Sequence, residues 1–291
     1  MTNYNGRIIK GIGGFYYVDT ADGVFECRAR GIFRKEGITP LVGDVVDISV
    51  DVPSKTGAVE DIKPRKNKLI RPPVANVDQV AIVTATAMPR PNLLLLDKLI
   101  AAAEYAGAKV LLCFNKTDID KGSDIVQIYK NADFEVLTLS AETGEGTDKL
   151  VDYLKNNVTV FAGNSGVGKS SLLNCVFGRE VFETGAVSDR VERGKHTTRH
   201  SELLQLPYGG YIIDTPGFGS FDIKLLEAED CVKMFREFEP YTGSCRFRDC
   251  SHTVEKGCGV LNALGSGKIA PSRHESYCRI VREINEDRKR R

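Results

Sequence analysis

At 291 residues the chain is too long for one average domain and fits two or three. A hydrophobic content of 42% supports real cores, and 27% charged residues is ordinary for a soluble protein. The net charge of +1 excludes a global attraction to nucleic acid, so any such binding must come from local patches. No apolar run has the length of a signal peptide or a membrane span, so a cytoplasmic chain is expected.

Residues 1–67 alternate short β-prone runs with Gly, Asp and Pro turns: Arg7–Ile9, Phe15–Val18, Val24–Ala29, Val45–Val50 and Ala58–Ile62. That rhythm predicts a small barrel, with an OB-fold as the natural candidate. Phe15, Tyr16, Tyr17 and Phe25 interleave with Arg28, Arg30, Arg34 and Lys35. Such a mixture suits stacked bases and phosphates, or, more plainly, half the rings are core and the charges form a solvated face. Lys63-Pro64-Arg65-Lys66-Asn67-Lys68 reads as a basic linker.

From Val77 onward strands alternate with helices. Val80–Thr84, Lys109–Phe114, Glu135–Leu139, Val158–Ala162, Leu203–Leu206 and Tyr211–Ile213 are the expected strands. Leu93–Ala106, Ser123–Lys130, Gly146–Lys155 and Lys169–Phe177 are the expected helices between them. This spacing implies a mostly parallel sheet covered by helices. Cys27, Cys113 and Cys175 sit singly in apolar segments and read as buried thiols.

Asn115-Lys116-Thr117-Asp118 closes the strand at Phe114. A carboxylate only accepts hydrogen bonds, and the guanine edge offers two donors where adenine presents an unprotonated nitrogen. Asp118 is therefore the expected base reader, Asn115 the holder of the motif, and Lys116 a stem along the ring. Ser140-Ala141 looks like the usual companion of this motif.

Gly163-Asn164-Ser165-Gly166-Val167-Gly168-Lys169-Ser170 follows an apolar strand and opens an apolar helix, the setting of a phosphate loop. Its backbone N–H groups can converge on phosphate oxygens at a helix N-terminus. Lys169 is expected to reach the β- and γ-phosphates and Ser170 to ligate Mg²⁺, with Ser171 beside it. Gly166 stands where potassium-stimulated relatives of such loops usually carry Asn, leaving potassium activation unsupported. Gly194-Lys195-His196-Thr197-Thr198-Arg199-His200 fits the first switch. Thr198 is favoured as the second Mg²⁺ ligand, with Thr197 as the alternative. Asp214-Thr215-Pro216-Gly217 forms the second switch, with Asp214 at the Mg²⁺ shell and the Gly217 N–H facing the γ-phosphate. Phe218 follows where Ras-like enzymes carry a water-orienting Gln, and it cannot orient water by hydrogen bonding. His196 is the internal candidate for that task, against a purely structural place in the switch. His200 and His274 read as surface or packing histidines, with an RNA contact left open for His200.

The base motif precedes the phosphate loop, the reverse of the ordinary order, so the nucleotide domain is circularly permuted. Its second switch then leads directly into residues 221–291, which read as helical and end in the basic run Arg288–Arg291. That tail is either an RNA contact or a solubilising end. Cys245-x4-Cys250-x-His252-x5-Cys258 places three thiols and one imidazole within fourteen residues. Such a set suits tetrahedral Zn²⁺ with no open position, hence a structural role. Disulfide pairing is the alternative and conflicts with a cytoplasmic chain. Cys231 and Cys278 read as buried or free thiols.

A barrel, a permuted nucleotide domain with Lys195-His196-Thr197-Thr198 and Asp214-Thr215-Pro216-Gly217-Phe218, and this zinc pattern together resemble the ribosome small subunit-dependent GTPase A family. The resemblance covers essentially the whole chain. Arg199 departs from it, since many relatives carry a third Thr there. The expected architecture is an OB-fold barrel (1–67), a circularly permuted α/β P-loop GTPase domain (68–220) and a mainly helical zinc-binding domain (221–291). The resemblance implies a GTP hydrolase acting late in small ribosomal subunit maturation, stimulated by that subunit and binding its rRNA. Its cofactors would be GTP or GDP with Mg²⁺ and one structural Zn²⁺. It also implies a part in the departure of an assembly factor, a role for His196 in hydrolysis, and action as a monomer. The competing readings are an rRNA-binding scaffold with GTP as a structural ligand, and a permuted GTPase of the large subunit. One expectation concerns coupling: movement of Asp214–Phe218 with the γ-phosphate would tilt the zinc module, while the barrel stays linked to the base-reading half.

Overall fold

The computed structural model describes residues 2–70, 72–182, 201–214 and 228–290, without the side chains of Asp214 and Arg290. The chain forms two compact units. The first holds residues 1–80, Val151–Phe161 and the described part of Ser188–Phe218.

In that unit, β1 (Thr2–Ile12), β2 (Phe15–Thr20), β3 (Gly23–Ala29), β4 (Val45–Asp51) and β5 (Thr56–Ile62) close into a barrel of order β1-β2-β3-β5-β4. Closure removes the exposed edges that an open sheet would leave. The long β1 makes it possible. Thr2–Arg7 pairs with β4 and Arg7–Ile12 with β2, and a bulge between Ile8 and Lys10 bends the strand. Gly6 sits at the crossing, where a Cβ would lie 2.5 Å from the Asp19 carbonyl. Period-two burial in β4 sends Val46, Ile48 and Val50 inward, and Ile8, Val18, Phe25, Cys27 and Val59 of the neighbouring strands are buried as well. Between β3 and β4, α1 (Gly31–Lys35) covers the barrel with buried Phe33.

The basic linker is pinned rather than loose. Arg65 forks onto fully buried Asp44 at 2.7 and 2.8 Å, and β6 (Lys68–Leu69) pairs with β7 (Val74–Ala75). Further along the chain, β8 (Gln79–Ala85), β9 (Lys109–Asn115), β10 (Glu135–Thr138), β11 (Val158–Ala162), β12 (Glu202–Gln205) and β13 (Tyr211–Asp214) follow as strands. In the first unit β11 pairs in parallel with β13, β13 antiparallel with β12, and β12 with β1 at Lys10↔Glu202. The barrel therefore adjoins, within this unit, the strand that ends at Asp214.

The second unit holds Ala81–Leu150, the described residues from Ala162 to Phe182, and residues 228–290. Its sheet runs β10-β9-β8, and every residue of β8 is buried, as suits a central strand. Helices α2 (Leu93–Tyr105), α3 (Ser123–Asn131), α4 (Thr147–Leu154) and α5 (Lys169–Phe177) fall where the sequence predicts them. Beyond two 3₁₀ turns at Ala228–Met234 and Arg236–Phe238 come α6 (Glu239–Thr242), α7 (Gly259–Gly265) and α8 (Pro271–Arg290). Their core is a ring cluster in which Tyr277 meets Phe235 and Phe238 edge-on, at 5.3 and 5.1 Å.

One thiol departs from expectation. Cys175 is exposed, because α5 turns Leu172, Leu173, Val176 and Phe177 inward and leaves position 175 on the opposite face. Cys27 and Cys113 are buried as expected, and burial pushes their thiols up to about 11 and about 12.

Candidate nucleotide site and metal centre

Asn115 ends β9 with its side chain buried and spends both ends of its amide on the site. Its Nδ2 donates to the Val167 carbonyl at 2.9 Å, and its Oδ1 accepts from the Ala141 N–H at 3.0 Å. One side chain thus joins the phosphate loop, the base motif and the Ser140-Ala141 turn. Gly168 makes this approach possible: its φ is +93°, and a Cβ there would lie 2.2 Å from Asn115 Nδ2.

Lys116 takes φ +66°, a left-handed conformation that costs a non-glycine residue about 1 kcal/mol. Its Nζ donates to the carbonyls of Met88 at 2.5 Å and Gly166 at 2.8 Å, so the stem spans from the base motif to the phosphate loop. Thr117 is buried and anchors the turn by donating to the Leu139 carbonyl at 2.9 Å. Asp118 is exposed, and its Oδ1 accepts from the fully buried Ser140 hydroxyl at 2.6 Å. Ser140 Oγ in turn accepts from the Thr143 N–H at 3.1 Å. The carboxylate is thereby aimed at solvent as a fixed acceptor, the chemistry a guanine edge requires.

Gly163 to Gly168 connects β11 to α5. No side chain caps α5, so its first N–H groups point into the loop, the arrangement that favours anions. Lys169 Nζ donates to the carbonyls of Gly163 at 2.7 Å and Asn164 at 2.5 Å, folded back along the loop. Burial pushes its ammonium down to about 8. Ser170 and Ser171 are half-buried in the first turn of α5, while Ser165 and Gly166 are exposed. His196, Thr197, Thr198 and Gly217 lie outside the described residues, as do His200 and Phe218. Asp214 is described only as the last residue of β13.

Sequence reading misses Thr86. Its buried hydroxyl donates to the carbonyls of Asn115 at 3.2 Å and Lys116 at 3.1 Å, bracing the left-handed turn. No spacing rule links position 86 to 115, so nothing in the sequence marks it.

Cys245, Cys250, His252 and Cys258 converge, with all four candidate ligand atoms within 4.8 Å of one another. A tetrahedral zinc with bonds of about 2.3 Å to sulfur and about 2.05 Å to nitrogen sets S···S at about 3.8 Å and S···N at about 3.5 Å. The Cys245–Cys258 sulfurs stand 3.9 Å apart, and each lies 3.5 Å from His252 Nδ1. The residues fit the ion. Backbone N–H groups of Gly259 and Leu261 point at the Cys245 and Cys258 sulfurs at 3.3 and 3.5 Å, as thiolates require. His252 is left-handed at φ +59°, and the His274 Nε2–H holds its carbonyl at 2.8 Å. His274 is thus a packing histidine, one that braces a candidate ligand. Burial pushes the His252 imidazole down, toward the neutral form that binds metal.

Residues 5–59 match the RsgA N-terminal domain, and residues 62–224 match the RsgA GTPase. The small ribosomal subunit biogenesis GTPase RsgA of Ruminiclostridium cellulolyticum is 46% identical over 288 residues, covering 97% of this chain and 94% of that protein. Its namesake from Caldanaerobacter subterraneus subsp. tengcongensis is 45% identical over 294 residues, covering 100% and 99%. Among solved structures, YjeQ from Thermotoga maritima superposes with a TM-score of 0.82 at 33% identity, covering 97% of this chain and 99% of its own. YloQ, described as a circularly permuted GTPase, gives 0.80 at 33% identity, covering 98% and 96%. With the matched models spanning both the barrel and the nucleotide site, the chain belongs to the RsgA GTPase family.

Proposed function

We propose that this protein hydrolyses GTP to GDP and phosphate during late maturation of the small ribosomal subunit, and that contact with the subunit stimulates the reaction. The observation that carries the reading is Asn115, which binds the base motif to the phosphate loop in one hydrogen-bonded unit. Full-length similarity to proteins named small ribosomal subunit biogenesis GTPase supplies the target.

Asp118 reads the guanine, held by Ser140, and the Ala141 turn closes around the base. The loop amides and Lys169 stabilise charge on the transferring phosphoryl group. Ser170 and Thr198, with Thr197 as the alternative, would hold Mg²⁺ together with Asp214, and the Gly217 N–H would face the γ-phosphate. Mg²⁺ held there would supply charge neutralisation for the phosphates. His196 orients the attacking water, a task Phe218 cannot perform.

Zinc held by Cys245, Cys250, His252 and Cys258 is structural. The barrel (1–67), the nucleotide domain (68–220) and the zinc module (221–291) form the working organisation, with rRNA contacts on the first and last. All eight cysteines are unbridged, which suits the cytoplasm, and no helix among the described residues is long and apolar enough to cross a membrane. The protein works as a monomer on the subunit, beside other assembly factors.

The test is GTP hydrolysis with small subunits, with large subunits and alone. Stimulation by small subunits only is expected. Equal or greater stimulation by large subunits overturns the target.

A further inference from the structure

Arg273, on α8, is almost fully buried, and nothing in the nucleotide chemistry above uses it. Its Nη1 donates to Asp97 Oδ1 at 2.6 Å, Nε to Glu237 Oε1 at 2.6 Å, and Nη2 to Glu237 Oε2 at 3.1 Å. The guanidinium lies over the Phe235 ring, 4.4 Å from its centroid. Tyr129 of α3 donates its hydroxyl to the same Asp97 oxygen at 2.8 Å.

Two carboxylates therefore share one guanidinium in the interior. Among the described residues Asp97 Oδ2 has no partner of good hydrogen-bond geometry, and burial pushes the Asp97 carboxyl up against the pull of Arg273 and of the nearby Ser276 and Tyr129 hydroxyls. Apolar residues commonly fill such a site with equal or greater stability. Stability is thus a poor reason for the cluster, and a fixed geometry is a better one.

The geometry it fixes is that of α2. Leu94, Asp97, Lys98, Ala101 and Glu104 form one stripe of that helix at three- and four-residue spacing. Lys98 Nζ meets the two Glu283 oxygens at 2.6 and 2.8 Å, and Glu104 pairs with Arg236. Leu94 and Ala101 pack into the apolar cluster of Phe235, Phe238, Cys258 and Tyr277. At its other end α2 is capped by Asn92, whose Oδ1 accepts from the Leu95 N–H at 3.1 Å. Four residues earlier the Met88 carbonyl takes the Lys116 ammonium, which also holds Gly166 of the phosphate loop. Contacts run from the zinc module to α2, and the short segment from Asn92 back to Met88 ties that helix through the chain to the Lys116–Gly166 contact.

We propose that Arg273 is a positioning residue for stimulated hydrolysis: through Asp97 and α2 it transmits engagement of the zinc module to the Lys116–Gly166 contact. The link to the small subunit rests on the function proposed above; the coupling itself does not.

Two full-length variants test it. Arg273→Lys keeps a cation but loses the fork, and Arg273→Gln combined with Asp97→Asn and Glu237→Gln removes all three charges. Each is first checked for bound zinc. The ratio of subunit-stimulated to basal turnover is expected to fall at least tenfold, with basal turnover, GDP affinity and subunit affinity within twofold of wild type. A purely structural role would instead lower zinc content or subunit affinity. A wild-type ratio in a zinc-loaded variant overturns the proposal.

Amide hydrogen exchange of the wild-type protein decides the matter if neither variant holds zinc, or if subunits fail to stimulate the wild type. Chelating zinc is expected to speed exchange in α2 and at Asn115–Asp118 as well as in the zinc module. Exchange in α2 and the base motif that ignores zinc overturns the coupling even where the subunit reading survives. Lack of stimulation with coupled exchange overturns only the subunit reading.

Discussion

The base motif and the zinc module, both in the second unit, are held by opposite means. The base motif is a turn ordered by single hydrogen bonds, mostly side chain to backbone: neutral ones from Asn115, Thr117 and Thr86, and those of the Lys116 ammonium. The zinc module is a set of helices gathered round four converging candidate ligands, an aromatic cluster and buried charge. Neutral hydrogen bonds contribute about 1 kcal/mol each and can be lost singly. A closed metal site in a region with a small core holds or fails as a whole. The chain thus places graded control at the nucleotide and all-or-none order at the module.

The sharpest break of this contrast is Cys258→Ala. Structural zinc in small modules contributes on the order of 10 kcal/mol, so zinc content should fall below stoichiometry and the Phe235–Phe238–Tyr277 cluster should lose its near-ultraviolet dichroism. Retained dichroism without zinc would put the module's order in its apolar core. Next in size is Asp118→Asn, which sets an amide donor against the guanine donors. GDP affinity should fall by roughly 10²- to 10⁴-fold, while the xanthine nucleotide, with an acceptor in place of the amine, gains. Competition titration of the two nucleotides reads both.

Ser140→Ala removes one charge-assisted hydrogen bond of 2.6 Å to Asp118. A loss of about 1.5 kcal/mol, roughly tenfold in GDP affinity, is expected at unchanged thermal midpoint. A hundredfold loss would mean that the turn is as brittle as the module. The smallest effect is the pH dependence of binding. Burial sets the Lys169 ammonium at about 8 in the free protein, and bound phosphates raise it. Affinity is therefore fully present below about 8 and is lost as pH climbs toward the bound value. GDP binding should weaken roughly twofold between pH 7 and 8 and about fivefold between 8 and 9. A flat profile in a Lys169→Arg protein would assign the effect to Lys169.

How far the sequence reveals these regions follows the same division. Gly163–Ser170, Asn115–Asp118 and Cys245–Cys258 are legible because each is local, and its spacing is itself the chemistry. The closed barrel and the strand–helix alternation follow from period-two burial and turn residues, as β4 illustrates. The Asp97–Arg273 pair is not legible, since 176 positions separate two residues that read as ordinary helix-surface charges. Cys175 misleads because apolar neighbours raise the prior for burial, whereas helix phase decides it. The linker misleads in the same way. A run of cations suggests solvent, yet Arg65 closes on a buried carboxylate 21 positions earlier.

The Asn115 bridge also sets an order of events during synthesis. Its amide donor is made 52 residues before the Val167 carbonyl that receives it. At translation rates of about 5 to 20 residues per second, the base motif waits roughly 3 to 10 s for its phosphate loop. In the ordinary motif order the phosphate loop comes first and can hold a nucleotide's phosphates while the base pocket is still being made. Here the Asn115 bridge forms only once Val167 has emerged, so the two halves of the site are joined while the cysteine cluster is still to be made.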